Sequence, residues 1–208
     1  MEYPPQVTQP FGAPAANSFE HSTYVLRRKF FQFFGAAFHI YDPAGNVAFY
    51  SKQKAFKLKE DIRVYSGEDM SHELLVIQAR SMLDFSASYD VFDPINRAKV
   101  GALRRRGFAS IVRDAWQILD PYDQQIGEIR EDSVTLALIR RFLTNLVPQT
   151  FVGSVHGQTV FHFKQHFNPF VQKITLDFTP DVNFALDRRL GLAAAVLLCA
   201  IEGRQSGG

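Results

Sequence analysis

A run of twelve residues without a polar side chain, Leu190 to Ile201, places the strongest constraint on how this chain folds. A helix of that length is about 18 Å long, whereas a bilayer core is about 30 Å thick and needs about 20 apolar residues to cross. Charged residues follow closely on both sides, within 187–189 and 202–204. The run therefore predicts a helix near residues 184–202 that its own protein buries on every side. A membrane-inserted segment is the alternative.

The remaining composition predicts one domain with flexible ends. Residues 1–22 are rich in proline and small residues and predict a disordered tail, residues 23–204 a single domain, and residues 205–208 a flexible C-terminus. The N-terminal stretch has neither the basic nor the apolar region of a secretory signal. The single cysteine, Cys199, cannot form an intramolecular disulfide. We therefore expect a cytoplasmic protein, peripheral at the inner membrane face if it binds lipid.

One short pattern occurs three times in the middle of the chain. The stretches "HIYDPAGNVAFY" from residue 39, "DVFDPINRAKVGAL" from residue 90 and "QILDPYDQQIGEI" from residue 117 each place Asp-Pro between apolar runs. An aspartate at the start of a turn accepts hydrogen bonds from later backbone N–H groups, and proline presets φ near −65°. The pattern therefore predicts three β-hairpins.

Alternation of apolar and polar side chains predicts further strands. It is present in "AFKLKEDIRVY" at 55–65, "VFHFKQHF" at 160–167 and "KITLDF" at 173–178. A closed barrel has no exposed sheet edge and can enclose an apolar helix. The sequence thus predicts a mainly β protein, a closed antiparallel barrel around the C-terminal helix. The stretch "EDSVTLALIRRFLTNLVP", residues 131–148, adds a short amphipathic helix that closes one barrel end or, alternatively, lies on a membrane surface.

Three longer stretches resemble a known group of proteins. These are "ARSMLDFSASYDVFDPINRAKVGALRRRGFASIVRDAWQILDPYDQQIGEIREDS" from residue 79, "FNPF" at 167–170 and "LDRRLGLAAAVLLCAIEGRQ" at 186–205. Together they resemble the bacterial relatives of the LURP-one-related and phospholipid scramblase families, within the tubby C-terminal-like superfamily, over about residues 24–204. The resemblance implies a twelve-stranded barrel around a central C-terminal helix. It also implies a link to phosphoinositide binding or to calcium-dependent lipid scrambling.

The resemblance places a calcium site just before the final helix, in the segment 177–188 that contains Asp177, Asp181 and Asp187. Against an EF-hand-like loop, the sixth position is Val182 instead of glycine and the twelfth is Arg188 instead of a bidentate glutamate. An arginine there would repel the ion. We therefore expect a loop and a helix start in this segment, and scrambling becomes the third-ranked function.

The sequence contains no recognisable catalytic pattern. A glycine-rich phosphate loop, a G-x-S-x-G elbow and an H-E-x-x-H motif are all missing from it. His162 and His166 are four residues apart, but on a strand that spacing separates them by about 13 Å, too far for one metal ion. We therefore expect a protein that is not an enzyme and carries no cofactor or metal.

Clusters of basic residues are the remaining functional signal. The net charge is only +2, which does not indicate nucleic-acid binding. Lysine and arginine near an anionic leaflet bind its headgroups. The six residues assigned to this hypothetical site are Lys57, Lys59, Arg104, Arg106, Arg140 and Arg141. The first hypothesis is therefore a peripheral barrel that binds anionic phospholipid or phosphoinositide headgroups without spanning the membrane. The alternative is a soluble interaction or structural module that docks a protein partner.

Overall fold

The computed structural model describes residues 18–29, 35–54, 61–80, 88–105, 115–131, 150–166 and 171–205. Within them the chain forms twelve strands and one helix. The strands are β1 Thr23–Lys29, β2 Gly35–Tyr41, β3 Val47–Lys54, β4 Ile62–Tyr65, β5 Glu73–Ala79, β6 Ser88–Phe92, β7 Lys99–Arg105, β8 Ala115–Leu119, β9 Gln125–Glu131, β10 Thr150–Val155, β11 Gln158–His166 and β12 Val171–Asp177; the helix is α1 Arg188–Gln205.

The twelve strands form a closed antiparallel barrel, as the alternation and the Asp-Pro pattern predicted. Each strand pairs with its neighbours in sequence, and β1 pairs with β12 to close the barrel. Because neighbouring strands run in opposite directions, all connections that follow an even-numbered strand lie at the same end. We call this end the helix-start end; it comprises the turns 42–46, 66–72, 93–98, 120–124 and 156–157 and the segment 178–187 that leads into α1.

The apolar helix is buried inside the barrel, which confirms the prediction made from Leu190 to Ile201 for the part whose side chains are described. Every residue from Leu190 to Ala200 is buried, and α1 contacts β12, β7 and β1 among others. The packing is tight. A Cβ added to Gly101 on β7 would lie 2.4 Å from the carbonyl oxygen of Leu119 and 2.9 Å from the side chain of Leu190. No helix among the described residues is long and apolar enough to span a membrane.

The helix begins and ends later than predicted, at Arg188 and Gln205 instead of near 184 and 202. It cannot begin earlier because residues 178–186 are held in turns. The buried carboxylate of Asp181 accepts hydrogen bonds from the N–H groups of Ala185 and Leu186, at 2.8 and 3.2 Å. Asp187 then caps the helix, since its Oδ1 accepts the N–H of Arg189 at 3.0 Å.

The three predicted Asp-Pro hairpins are present, and in each the aspartate accepts backbone N–H groups of its own turn. Asp42 accepts from Asn46, Asp93 from Ile95, and Asp120 from Tyr122 and Gln124. The predicted alternation is also confirmed on the described strands. The inward side chains of these stretches are Ile62, Val64, Phe161, Phe163, Ile174, Leu176 and Phe178, all of them buried.

Part of the predicted N-terminal tail packs on the barrel. The ring of Phe19 lies 4.7 Å from that of Phe49, and the hydroxyl of Tyr24 donates to the carbonyl oxygen of Ser18 at 2.7 Å. The tail prediction is therefore wrong for residues 18–22, because Phe19 has apolar surface that the barrel can cover. Residues 1–17 and 206–208, and the predicted amphipathic helix apart from Glu131, lie outside the described residues.

Candidate anion-binding surface

The structure describes only one of the six basic residues predicted from the sequence. Lys57, Lys59, Arg106, Arg140 and Arg141 lie outside the described residues. The described residue is Arg104.

Arg104 lies near the end of β7 and is half-buried, and its Nε donates to Oγ of Ser88 on β6 at 3.2 Å. This is a cross-strand contact, because Ser88 and Arg104 are register partners. The one described contact of Arg104 is thus to a serine hydroxyl, and the rest of the predicted set lies outside the described residues.

Basic side chains from three neighbouring strands meet elsewhere on the barrel, on the outer face of β11, β12 and β1. Lys173 on β12 is the register partner of His166 on β11 and of Arg27 on β1. Lys164 lies two residues before His166 on the same strand, so its side chain points to the same side of the sheet. We call Arg27, Lys164, His166 and Lys173 the cationic face.

The outward direction of these side chains follows from the alternation of each strand. Phe163 on β11, Ile174 on β12 and Leu26 on β1 are buried against the interior. The residue next to each of them in sequence must therefore point outward. Directly opposed residues of antiparallel strands are about 4.5 to 5.5 Å apart, so the basic groups of the cationic face are close neighbours.

The basic side chains of the cationic face have no neutralising carboxylate among the described residues. Among the described residues, no carboxylate oxygen lies within 4.0 Å of a side-chain nitrogen of Arg27, Lys164 or Lys173. The guanidinium of Arg27 instead lies over the ring of Tyr41, 4.8 Å from its centroid. The nearest acid along β12 is Asp177, whose Oδ1 accepts the N–H of Thr179 at 2.9 Å.

A second cluster of charges, on β5 to β7, shows the contrasting arrangement. Arg80 and Lys99 share the carboxylates of Asp90 and Asp123, so two positive and two negative groups balance. Hydrogen bonds from Lys99 and Arg80 hold the pKa of Asp123 at about 2. These contacts tie the turn 120–124 to the wall of the barrel and leave little charge for an external ligand.

The pKa of His166 responds to the positive charge of the cationic face. Its Nε2 lies 2.8 Å from Oγ1 of Thr175. Partial burial lowers the pKa of His166 below its usual 6.5, and the charges of Lys173 and Lys164 lower it further. An anion placed against these groups would favour the protonated imidazole, because opposite charges nearby stabilise the charged form.

The lowered pKa of His166 leads to a prediction about stability. Below its ordinary pKa of 6.5 the unfolded chain binds more protons at this position than the folded one, so the free energy of unfolding should fall as pH falls. Urea denaturation between pH 8 and pH 5 should show a smaller loss for His166→Gln than for the wild type. Lys173→Gln should also reduce the loss, since it removes one repelling charge. Equal pH dependence in all three proteins would contradict the assignment.

The segment that the resemblance linked to calcium uses its carboxylates internally. Asp181 is buried and accepts two backbone N–H groups, as described above, and Asp187 forms an ion pair with Arg189 at 2.6 Å. Arg189 also reaches Asp93 at 3.0 Å. In the described part of the chain, no group of three His, Cys, Asp or Glu side chains is arranged to hold a metal ion. His162 and His166 lie on strand β11, as predicted.

Sequence reasoning did not select Lys164, His166 or Lys173 because none of them belongs to a basic run. The only available signal was their shared parity with other polar residues in "VFHFKQHF" and "KITLDF". Which of these strands pair, and in which register, depends on the closed barrel.

Comparison with known protein families, with curated proteins and with solved structures gave no match to this chain.

Proposed function

We propose that the protein is a non-enzymatic, peripheral lipid-binding barrel, and that the cationic face contacts the phosphate groups of anionic phospholipid or phosphoinositide headgroups. The observation that carries this proposal is the cross-strand grouping of Arg27, Lys164 and Lys173, with no carboxylate oxygen of the described residues within 4.0 Å of their side-chain nitrogens. Three cations held on adjacent strands match a surface that presents many phosphates. A planar guanidinium can also bind one phosphate through two hydrogen bonds.

The charges support reversible rather than permanent attachment. Each lysine or arginine close to an anionic leaflet contributes about 1 kcal/mol, so the three permanent charges supply about 3 kcal/mol. A dissociation constant of 1 mM already corresponds to about 4.1 kcal/mol. Binding to a membrane should therefore be weak, and it should fall as salt rises, because the Debye length shrinks to about 3 Å at 1 M salt.

We also propose that the barrel is tubby-like, as the resemblance to LURP-one-related proteins and scramblases implies. The closed barrel of twelve antiparallel strands around a C-terminal helix supports this assignment. Scrambling is not part of the proposal. The carboxylates of Asp177, Asp181 and Asp187, which a calcium-dependent activity would use, are hydrogen-bonded within their own loop and helix start.

Vesicle flotation tests the headgroup proposal. Wild-type protein should float at low salt with vesicles that contain phosphatidylserine or a phosphoinositide, and not with phosphatidylcholine alone. Changing Lys164→Gln and Lys173→Gln together removes about 2 kcal/mol of attraction, so affinity should fall about thirtyfold.

The matched control for this pair removes two charges elsewhere, with Arg97→Gln in the turn 93–98 and Arg130→Gln on β9. Both side chains are exposed, and this control should bind nearly as well as the wild type. If both variants lose binding equally, net charge and not the cationic face is responsible. If the wild type fails to float with any anionic vesicle, the lipid function is wrong and a protein-docking module becomes the better hypothesis.

A further inference from the structure

Large apolar side chains are exposed at the helix-start end of the barrel. In the segment 178–187, Val182 is 76% exposed and Phe184 is 69% exposed. Ile95 and Tyr122, at 82% and 85%, lie in two other turns at this end. Ile95 and Tyr122 lie in two different turns, whereas Val182 and Phe184 lie two residues apart in the same segment.

Phe184 is held in an unfavourable backbone conformation that keeps it in solvent. Its φ is +51°, in the left-handed region that glycine and asparagine tolerate and bulky residues avoid. The backbone is fixed there by the N–H of Phe184, which donates to the carbonyl oxygen of Asp181, and by the buried Asp181 carboxylate. An exposed phenylalanine at a strained position does not improve solubility, and its one described ring contact is with the guanidinium of Arg188, so a binding role is the better explanation.

Contacts of Arg188 place Phe184 on the same side of the barrel as the cationic face. The guanidinium of Arg188 lies over the rings of Phe184 and Phe178, at 5.0 and 4.8 Å. It also donates through Nη1 to the carbonyl oxygen of His21, two residues before β1. Phe178 directly follows β12, so Phe184 lies above the β12 and β1 edge of the rim. Lys173 and Arg27 belong to these two strands, and each lies four residues, or about 13 Å along the wall, from the end of its strand at this rim.

The charges near Phe184 are compatible with an anionic membrane. Arg188 adds a positive group beside the ring. The carboxylate of Asp181 is buried, so it does not face outward. The described acidic side chains at this edge are Glu20, Asp42, Asp177 and Asp187. Asp42 and Asp177 accept hydrogen bonds from their own turns, and Asp187 is paired with Arg189.

We infer that Val182 and Phe184 enter the interfacial region of an anionic bilayer when the cationic face is bound to it. This inference rests on the proposed function and adds the second component that peripheral binding needs, because buried apolar area strengthens attachment that charges alone leave weak. Ile95 and Tyr122 follow strands β6 and β8 on the opposite wall of the barrel. They stay in water in this orientation.

Tryptophan fluorescence tests the insertion directly. The chain has a single tryptophan, Trp116, which is buried in the core at 3% exposure and therefore provides a constant background. In Phe184→Trp, the introduced indole should shift its emission to the blue on addition of phosphatidylserine vesicles. Lipids brominated near the headgroup should quench it. The matched control is Tyr122→Trp, an exposed position at the same end but on the opposite side of the barrel, which should show neither effect.

A second variant separates insertion from folding. Phe184→Asn introduces a residue that tolerates positive φ, so the melting temperature of the variant should equal or exceed that of the wild type. Its affinity for phosphatidylserine vesicles should fall about tenfold through the lost apolar burial.

Each outcome of these measurements is decisive. Association without a blue shift or quenching in Phe184→Trp would overturn the insertion and leave the cationic face intact. Quenching of both introduced tryptophans would overturn the one-sided orientation. Failure of the wild type to associate with any anionic vesicle would overturn the proposed function and this inference together.

Discussion

Replacing Ala195 with arginine is expected to leave no folded protein. Ala195 is fully buried in the middle of α1, inside the closed barrel. A guanidinium there would need either to lose its hydration without a partner or to force the barrel walls apart, and both are more costly than the total stability of a typical domain. Circular dichroism during heating should show no cooperative transition. The matched control is Ala44→Arg, in the exposed turn 42–46, which should melt like the wild type.

A cooperative melt of Ala195→Arg near the wild-type temperature would contradict the buried position of α1. That result would mean that the helix can leave the barrel without unfolding it. The barrel would then owe its stability to the strands alone.

Truncating Leu197 to alanine is expected to cost about 2 to 5 kcal/mol of unfolding free energy. The side chain is 1% exposed and packs among the core residues that surround α1. Deleting it removes apolar contacts and leaves a cavity that the barrel wall can fill only in part, because the strands are hydrogen-bonded to neighbours on both sides. Urea denaturation with linear extrapolation measures the change.

The matched control for Leu197→Ala is Val182→Ala, at a position 76% exposed. Surface substitutions of this kind usually change stability by less than about 0.5 kcal/mol. A loss in Leu197→Ala no larger than that of the control would show that this side of α1 is not packed. Leu192, also 1% exposed, provides an independent repeat of the measurement.

Local features of the sequence were sufficient to predict the class of fold. The run from Leu190 to Ile201 required burial on every side, and its length was too short for a bilayer. The three Asp-Pro turns required hairpins, because their aspartates accept hydrogen bonds only a few residues away. These interactions are local, so the residues that determine them are adjacent in the chain.

The start of the helix depends on hydrogen bonds to Asp181 that no sequence pattern indicates. Asp181 is distant from the apolar run, yet its buried carboxylate holds the N–H groups of Ala185 and Leu186 and delays the helix to Arg188. In the sequence it is one acid among several between 177 and 188. Its burial, which distinguishes it from the exposed Asp187, is a property of the folded barrel.

The candidate site was the feature that the sequence predicted least well. Lys57 with Lys59, and Arg104 with Arg106, were predicted from shared parity along one strand, but a local pattern cannot show which charges of different strands meet. Lys164, Lys173 and Arg27 come from three strands, one of them more than 130 residues from the other two.

By itself, the sequence determined that the chain is mainly β, that hairpins form at its Asp-Pro turns and that an apolar helix must be enclosed. Each of these follows from patterns within about a dozen residues. Only the tertiary structure decided which charges lie together and which apolar side chains stay in water. The pairing of β1 with β12 joins the two ends of the sheet and sets Arg27 opposite Lys173. Such a register is determined by how the whole barrel closes around its helix, and no local pattern encodes it.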